Sequence, residues 1–181
     1  MDAGINATET LDNNFRRFTV GKAVSVVLLL TIALFWIWAL SPLAPSGHPD
    51  KLDDPSFANE AKILCGAAET ELEKIPFAFS VKSPEERADQ IDQGTAIYRN
   101  LLSELLLIAP DENTRDGQLV RLWIADYALY LDDRDNYAEK FRDGIDEAFT
   151  VSKKGSRWVT DPVDEFAKGN RIRECLVPLD V

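Results

Sequence analysis

The sequence has few of the side chains on which most enzymes and metal sites depend. Its 181 residues include one histidine, two cysteines and one methionine. His48 lies in a proline-rich stretch, where we expect a lone histidine to be a surface residue. The rest of the chain therefore has no histidine base for nucleophilic catalysis, and zinc lacks enough nitrogen and sulfur ligands.

The short motifs of several other chemistries are absent too. The sequence has no G-x-S-x-G nucleophile elbow, no glycine-rich phosphate loop and no C-x-x-C redox pair. The stretch DENTRDG resembles a calcium loop, but Arg115 and Leu122 stand where an EF-hand needs an oxygen ligand and a closing acid. We predict no catalytic residue, no cofactor site and no metal site.

Basic charge is scarce in the larger part of the chain. The formal net charge is −11, and the first 45 residues contribute none of it, because three acidic and three basic side chains cancel there. The acidic remainder repels phosphate backbones, since affinity for them comes mostly from lysine and arginine. We predict that nucleic acid is not a partner.

The sequence contains one long hydrophobic run. Residues 23–40 carry no charge and include eleven Leu, Ile, Val or Phe side chains. As a helix they span about 27 Å, close to the thickness of a hydrocarbon core. Trp36 and Trp38 suit the membrane–water boundary, and Pro42 would make cleavage after Ser41 unfavourable. We predict a retained transmembrane helix over residues 23–41, in contact with membrane lipid, rather than a signal peptide.

The charges that flank this run predict its orientation. Arg16, Arg17 and Lys22 precede it, whereas Lys51 is the one basic residue within about 15 residues after it. The positive-inside rule then predicts a short cytoplasmic tail over residues 1–22 and an extracytoplasmic C-terminal domain.

The remainder divides into a spacer and a helical domain. Residues 42–55 are rich in proline and predict a semi-stiff spacer. Residues 56–181 predict a small helical bundle with a minor β-hairpin, so the fold class is mainly α. The first helix of the domain begins near Phe57 and ends before Pro76, and Ser83-Pro84 followed by Glu86 predicts a capped start for the second.

The second half of the domain has three further predicted features. The run QLVRLWIADYALYL is apolar on nearly every side and predicts a helix buried all round. Asp132-Asp133 predicts its end, with a shorter helix after it. Lys153-Lys154-Gly155 between β-forming residues predicts a hairpin, and a last helix is expected from Thr160 to near Cys175.

The two cysteines predict a disulfide. Outside the membrane, Cys65 and Cys175 would normally be oxidised. Closing a loop of about 110 residues stabilises a fold by about 4.7 kcal/mol in the chain-entropy model. Two separate buried thiols are the alternative, and a structural bridge is the favoured interpretation.

One carboxylate interrupts the apolar helix. A buried Asp126 is costly unless it is paired, and Arg134, about two turns later, or Arg99 from the preceding helix would satisfy it. We predict Asp126 and Arg134 as a buried polar pair. A catalytic role for Asp126 would require a second carboxylate some 5–9 Å away in a cleft.

The segment WIADYALYLDDRDNYAEKF and the ending FAKGNRIRECLVPLDV resemble a group of small single-pass envelope proteins of actinobacteria. The matching positions are Trp123, Asp126, Tyr130, Leu131, Asp133, Arg134, Tyr137 and Ala138, then Phe166, Ala167, Asn170, Cys175, Pro178 and Asp180. The resemblance implies a cell-envelope location and a membrane anchor. It implies no activity and no catalytic residue.

Three functional hypotheses follow from these patterns. The first is a non-enzymatic, membrane-anchored interaction protein or accessory subunit with a protein partner in the envelope. The second is a ligand-binding or sensory ectodomain, which a sizeable cavity among the aromatic residues would favour. The third is a carboxylate-based cell-wall hydrolase, which requires the two-acid cleft.

Overall fold

The chain forms two compact units with a boundary after Gly47. A computed structural model describes residues 6–41, 48–145, 147–178 and 180, with the backbone alone over residues 6–20.

The first unit contains one long helix, α1 (Asn6–Ala39). Its segment Gly21–Ala39 has 19 residues and a mean hydropathy of 2.1, so it is long and apolar enough to span a membrane. Ser25 and Thr31 donate their hydroxyl hydrogens to carbonyls four residues earlier, which satisfies both polar groups within the helix.

The second unit is mainly helical with one small antiparallel sheet, as the sequence predicts. In the sheet, Lys153 pairs with Trp158 and Lys154 with Arg157. The regular elements are α2 (Ser56–Leu72), α3 (Pro84–Leu107), α4 (Arg115–Arg142), β1 (Lys153–Lys154), β2 (Arg157–Trp158) and α5 (Thr160–Gly169), with 3₁₀ turns at Ala78–Ser80 and Arg173–Cys175.

The start of α3 has the predicted cap. The Ser83 hydroxyl accepts a hydrogen bond from the Glu86 amide at 3.2 Å, and Pro84 occupies the first helical position. The Glu86 carboxylate reaches back to the Lys82 amide at 2.8 Å. The Ser83 contact satisfies one amide that the helix leaves unpaired. The Glu86 contact holds the chain just before the cap.

Helix α4 differs from the prediction in two ways. It does not end at Asp132-Asp133 but continues to Arg142, because aspartate lowers helix propensity only modestly and both carboxylates find partners outside the helix. Arg99 donates to Asp132 at 2.8 Å, and Ser152 donates to Asp133. The helix is also not buried all round, since one side faces solvent.

The last helix is shorter than predicted. It ends at Gly169, and Cys175 lies in the separate 3₁₀ turn that follows. Arg171 adopts a φ of 61°, in the left-handed region, which a right-handed helix cannot continue through. The chain therefore turns before it reaches the cysteine.

The core of the second unit is built around aromatic side chains of α4. The Trp123 ring stacks on Phe166 of α5 with centroids 4.7 Å apart, and Tyr127 stacks on Tyr98 of α3 at 5.8 Å. Phe57 of α2 meets Trp123 edge to face. The aromatic side chains of α4 thus contact each of the other three helices.

The chain enters the second unit at the N-terminal end of α4. Residues 48–55, which fall in the range predicted as spacer, are held against the unit. The Asp116 carboxylate accepts the Asp53 amide at 2.9 Å, the Arg115 guanidinium donates to two carbonyls of this segment, and Leu52 is buried. Residues 48–55 therefore belong to the second unit, which begins before α2.

Candidate interaction surface

The predicted cysteine pair is brought together. Cys65 of α2 and Cys175 of the C-terminal 3₁₀ turn are bonded, with Cα atoms 5.2 Å apart. Both residues are buried. The bond fixes the end of the chain to α2, 110 positions earlier in the sequence.

The predicted polar pair is not formed, although both residues are buried. Asp126 and Arg134 are 3% and 0% exposed, but eight residues along one helix separate them by about 12 Å. The Asp126 carboxylate instead accepts a hydrogen bond from the Lys154 ammonium of the hairpin at 2.6 Å. The prediction of burial was right, and the prediction of the partner was wrong.

The partner of Arg134 is Asp180, near the end of the chain. The guanidinium donates to both carboxylate oxygens, at 2.5 and 2.8 Å, and its Nε donates to the Thr95 hydroxyl at 3.0 Å. Burial disfavours the charge, but the hydrogen bonds and the negative charge of Asp180 raise the pKa of Arg134 above its ordinary value. The sequence contains no local signal for this pair.

Two tyrosines of α4 hold the segment that leads to Asp180. The Tyr127 hydroxyl donates to the carbonyl of Leu176 at 3.1 Å, and the Tyr130 hydroxyl donates to the carbonyl of Pro178 at 3.0 Å. We call residues 176–178 and 180 the C-terminal strap. The two hydrogen bonds hold it against α4.

The surroundings of Asp126 bear on the hydrolase hypothesis. Its ion-pair partner is a lysine, and Asp126 lines none of the three described surface grooves. Within the described ranges, no group of three or more His, Cys, Asp or Glu residues is arranged to hold a metal ion. This geometry offers no support for two-carboxylate chemistry at Asp126.

The three described grooves are open and lie on the surface. The largest, about 590 Å³, runs between the second half of α4 and the chain that precedes β1. A second, about 430 Å³, lies between Tyr130, α5 and the strap. The third, about 310 Å³, has Val81, Phe141 and Ile145 among its lining residues.

The solvent-facing sides of α3 and α4 carry a patch of apolar residues. Leu122, Ala125 and Leu129 recur every three or four residues along one stripe of α4 and are exposed. Arg99 of α3 bonds to Asp132, at the end of that stripe. Because the two helices run antiparallel, Leu106, two turns beyond Arg99, lies at the level of Ala125.

We call these four residues (Leu106, Leu122, Ala125 and Leu129) the leucine surface. Its three leucines are 46–54% exposed. Single exposed leucines are ordinary on a protein surface, whereas these lie at similar levels of two adjacent helices. The sequence predicted this side of α4 to be buried, and the structure leaves it uncovered.

A second exposed apolar feature lies in the connection between α2 and α3. Phe77 and Phe79 are 75% and 86% exposed. Their rings stack on each other, 5.4 Å apart and 6° from parallel. We call residues 73–83 the aromatic loop. No prediction from the sequence covers this loop, although two phenylalanines close to Pro76 were a visible signal.

Comparisons with known proteins place the chain in no group. No family model, no curated protein and no solved structure matches it.

Proposed function

We propose that the chain is a non-enzymatic, single-pass membrane protein whose C-terminal unit binds a protein partner in the cell envelope, as an interaction module or accessory subunit. Helix Gly21–Ala39 would be the anchor. The basic residues before it favour a cytoplasmic N-terminus and an extracytoplasmic C-terminal unit. The bonded cysteines agree with an oxidising compartment.

The observation that carries the proposed partner is the leucine surface. Leu106, Leu122 and Leu129 are about half exposed on two well-formed helices, although burying the exposed half of each one would contribute about 1 kcal/mol. An uncovered apolar stripe on a rigid helix pair fits a helix with an apolar stripe of its own. The partner we propose is therefore a helical segment of another envelope protein.

The ion pairs beside the leucine surface suit such an interface. Arg99 bonds to both Asp132 and Asp135, and all three side chains remain partly exposed. An apolar centre with a charged rim is the common anatomy of a protein interface. The rim would fix the orientation of the partner more than it adds affinity.

Photo-crosslinking in native membranes tests this proposal. The full chain carries a photoreactive amino acid at Leu122, with Ile63 as the control position, because Ile63 is an exposed apolar residue of α2 outside the leucine surface. We expect one discrete adduct from Leu122, none from Ile63, and loss of the adduct when Leu129→Gln is added. Equal adducts from both positions, or none from Leu122, would contradict the proposed surface.

The anchor and its orientation have a separate test. We expect the full chain to stay in the membrane fraction during alkaline extraction. We also expect Ser156→Cys, in the exposed turn of the hairpin, to react with a membrane-impermeant maleimide on intact cells. Release into the supernatant would contradict the anchor, and reaction only after lysis would contradict the orientation.

A further inference from the structure

The aromatic loop has no role in the fold that explains its exposed rings. Phe77 and Phe79 contact each other rather than the core, and neither is among the buried or partly buried residues. Leaving two phenylalanines in water forgoes the stabilisation that their burial would give. We call these two exposed rings, Phe77 and Phe79, the apolar tip of the loop.

A groove with both apolar and basic lining residues lies beside this tip, and the local sequence is nearly neutral. The groove of about 310 Å³ beside it is lined in part by Val81, Phe141 and Ile145. Between positions 71 and 87 the chain carries four acidic and three basic side chains. The basic ones include Lys74 and Lys82, which bracket the two phenylalanines in sequence.

We propose that the aromatic loop inserts into the interfacial region of a phospholipid bilayer. This inference rests on the proposed anchor, which would keep a bilayer within reach of the loop and raise its effective concentration. Phenylalanine inserts at the boundary between headgroups and acyl chains, and lysine side chains extend from there to water.

The size of the tip favours lipid over a protein surface. Two phenylalanine side chains bury about 150–250 Å² each, whereas a stable protein interface needs about 800 Å² from each partner. A second copy of this chain faces the same shortage. Interfacial insertion of a tethered unit needs only a few side chains, because the tether already keeps the unit at the membrane and little further translational entropy is lost.

The charge of the loop predicts which lipids matter. With four acidic and three basic side chains around it, the loop gains little from anionic headgroups. Insertion is then driven by the rings, and anionic lipid should not strengthen it, because the unit that carries the loop is acidic. A basic membrane-binding patch would instead bind more strongly as the fraction of anionic lipid rises.

The position of the loop makes insertion a second, separate membrane contact. Val81 lines a groove with Phe141 and Ile145, at the C-terminal end of α4. The chain enters the unit at the other end of α4, which is about 40 Å long. Lipid contact at the aromatic loop would therefore not follow simply from the point at which the chain enters the unit.

Spin labels on the full chain in phosphatidylcholine vesicles test the inference. One nitroxide is placed at Ala78→Cys, between the two phenylalanines, and a control at Ser156→Cys in the hairpin turn; both positions are exposed. We expect collisions with oxygen to exceed those with a water-soluble nickel chelate at position 78, and the reverse at position 156. Adding anionic phosphatidylglycerol should not increase the insertion at position 78, because the unit is acidic.

A matched variant removes the rings and keeps the label. Phe77→Ser with Phe79→Ser, in the Ala78→Cys background, should lower the ratio of inserted to free loop by about a hundredfold or more, since two buried aromatic side chains are lost. Because both rings are exposed, the variant should keep the unfolding midpoint of its parent.

The outcomes separate this inference from the proposed function. A chain that resists alkaline extraction but whose label at 78 behaves like the label at 156 overturns the inference and leaves the anchor standing. A label shielded from both reagents indicates protein contact and also overturns it. A chain released by alkaline extraction overturns the anchor and the inference together.

Discussion

At the scale of single residues, the stability of the second unit depends on the buried positive charge of Arg134. Arg134 is 0% exposed, and within the described part of the chain Asp180 is the acid that pairs with it. Removing one partner of a buried pair costs more than the pair contributes, because the other charge is left uncompensated. Asp180 is therefore a structural residue.

Asp180→Ala should destabilise the unit by about 3–5 kcal/mol, since it leaves Arg134 buried without a carboxylate. Denaturant unfolding of the full chain in detergent measures the loss. The control is Asp132→Ala, which breaks an exposed ion pair with Arg99 and should cost about 1 kcal/mol or less. Equal losses in the two variants would show that Arg134 is hydrated when Asp180 is absent.

Three buried tyrosines predict instability at alkaline pH. Burial raises the pKa of Tyr98, Tyr127 and Tyr130 above the ordinary value near 10. As the pH rises, the unfolded chain loses these protons first, so stability is full below about pH 10 and falls above it. Each tyrosine adds about 1.4 kcal/mol per pH unit to that slope.

Absorbance at 295 nm during an alkaline titration checks this prediction. We expect three tyrosines to ionise together with the loss of helix, while the folded unit keeps them neutral. Tyr130→Phe should reduce the slope by one proton. Ionisation of all tyrosines before any change in circular dichroism would contradict the prediction.

At the scale of elements, the packing of α3 against the strap depends on a glycine. A Cβ atom at Gly94 would lie 2.9 Å from Arg134 Nη2 and 3.2 Å from Asp180 Oδ2. No side chain fits there without moving the buried ion pair. The helix accepts the low propensity of glycine because the pair requires the space.

Gly94→Ala should therefore destabilise the unit by about 1–3 kcal/mol through overpacking. Gly66→Ala in α2 is the matched control, because nothing lies within 4 Å of a Cβ atom there, and it should stabilise by about 0.5–1 kcal/mol. Thermal unfolding of both variants gives the comparison. Stabilisation by both substitutions would show that the ion pair shifts at little cost.

The sequence predicted the elements unevenly, for reasons visible at particular residues. The start of α3 follows from Ser83, Pro84 and Glu86, which act within one turn. The length of α4 could not be predicted in this way, because the carboxylates of Asp132 and Asp133 bond to residues 33 and 19 positions away. Local rules fix an end where capping is local and fail where a distant residue satisfies the polar group.

At the scale of the whole molecule, the disulfide joins the two ends of the second unit. Cys65 and Cys175 are separated by 110 residues, so the bond restricts almost the entire unfolded chain of the unit. It also lies directly before the strap, whose Asp180 neutralises Arg134. Covalent and ionic contacts thus hold the same end of the chain.

Replacing both cysteines by alanine should lower the free energy of unfolding by about 2–5 kcal/mol. Denaturant unfolding of the full chain in detergent measures the loss. A dithiol reagent should destabilise the wild type under partly denaturing conditions and leave the double variant unchanged. Equal stability of the two proteins, with or without the reagent, would show that the bond is absent in solution.

Neighbouring residues were enough to predict four features: the apolar segment, the capped helix start, the hairpin and a cysteine pair available for oxidation. Tertiary structure alone decided that Arg134 pairs with Asp180, that Asp126 pairs with Lys154, and that Leu122 and Leu129 remain exposed. Periodicity states which residues share one side of a helix. Whether that side is covered depends on how the rest of the chain packs against the helix. The same packing decides which distant residue pairs with each buried charge.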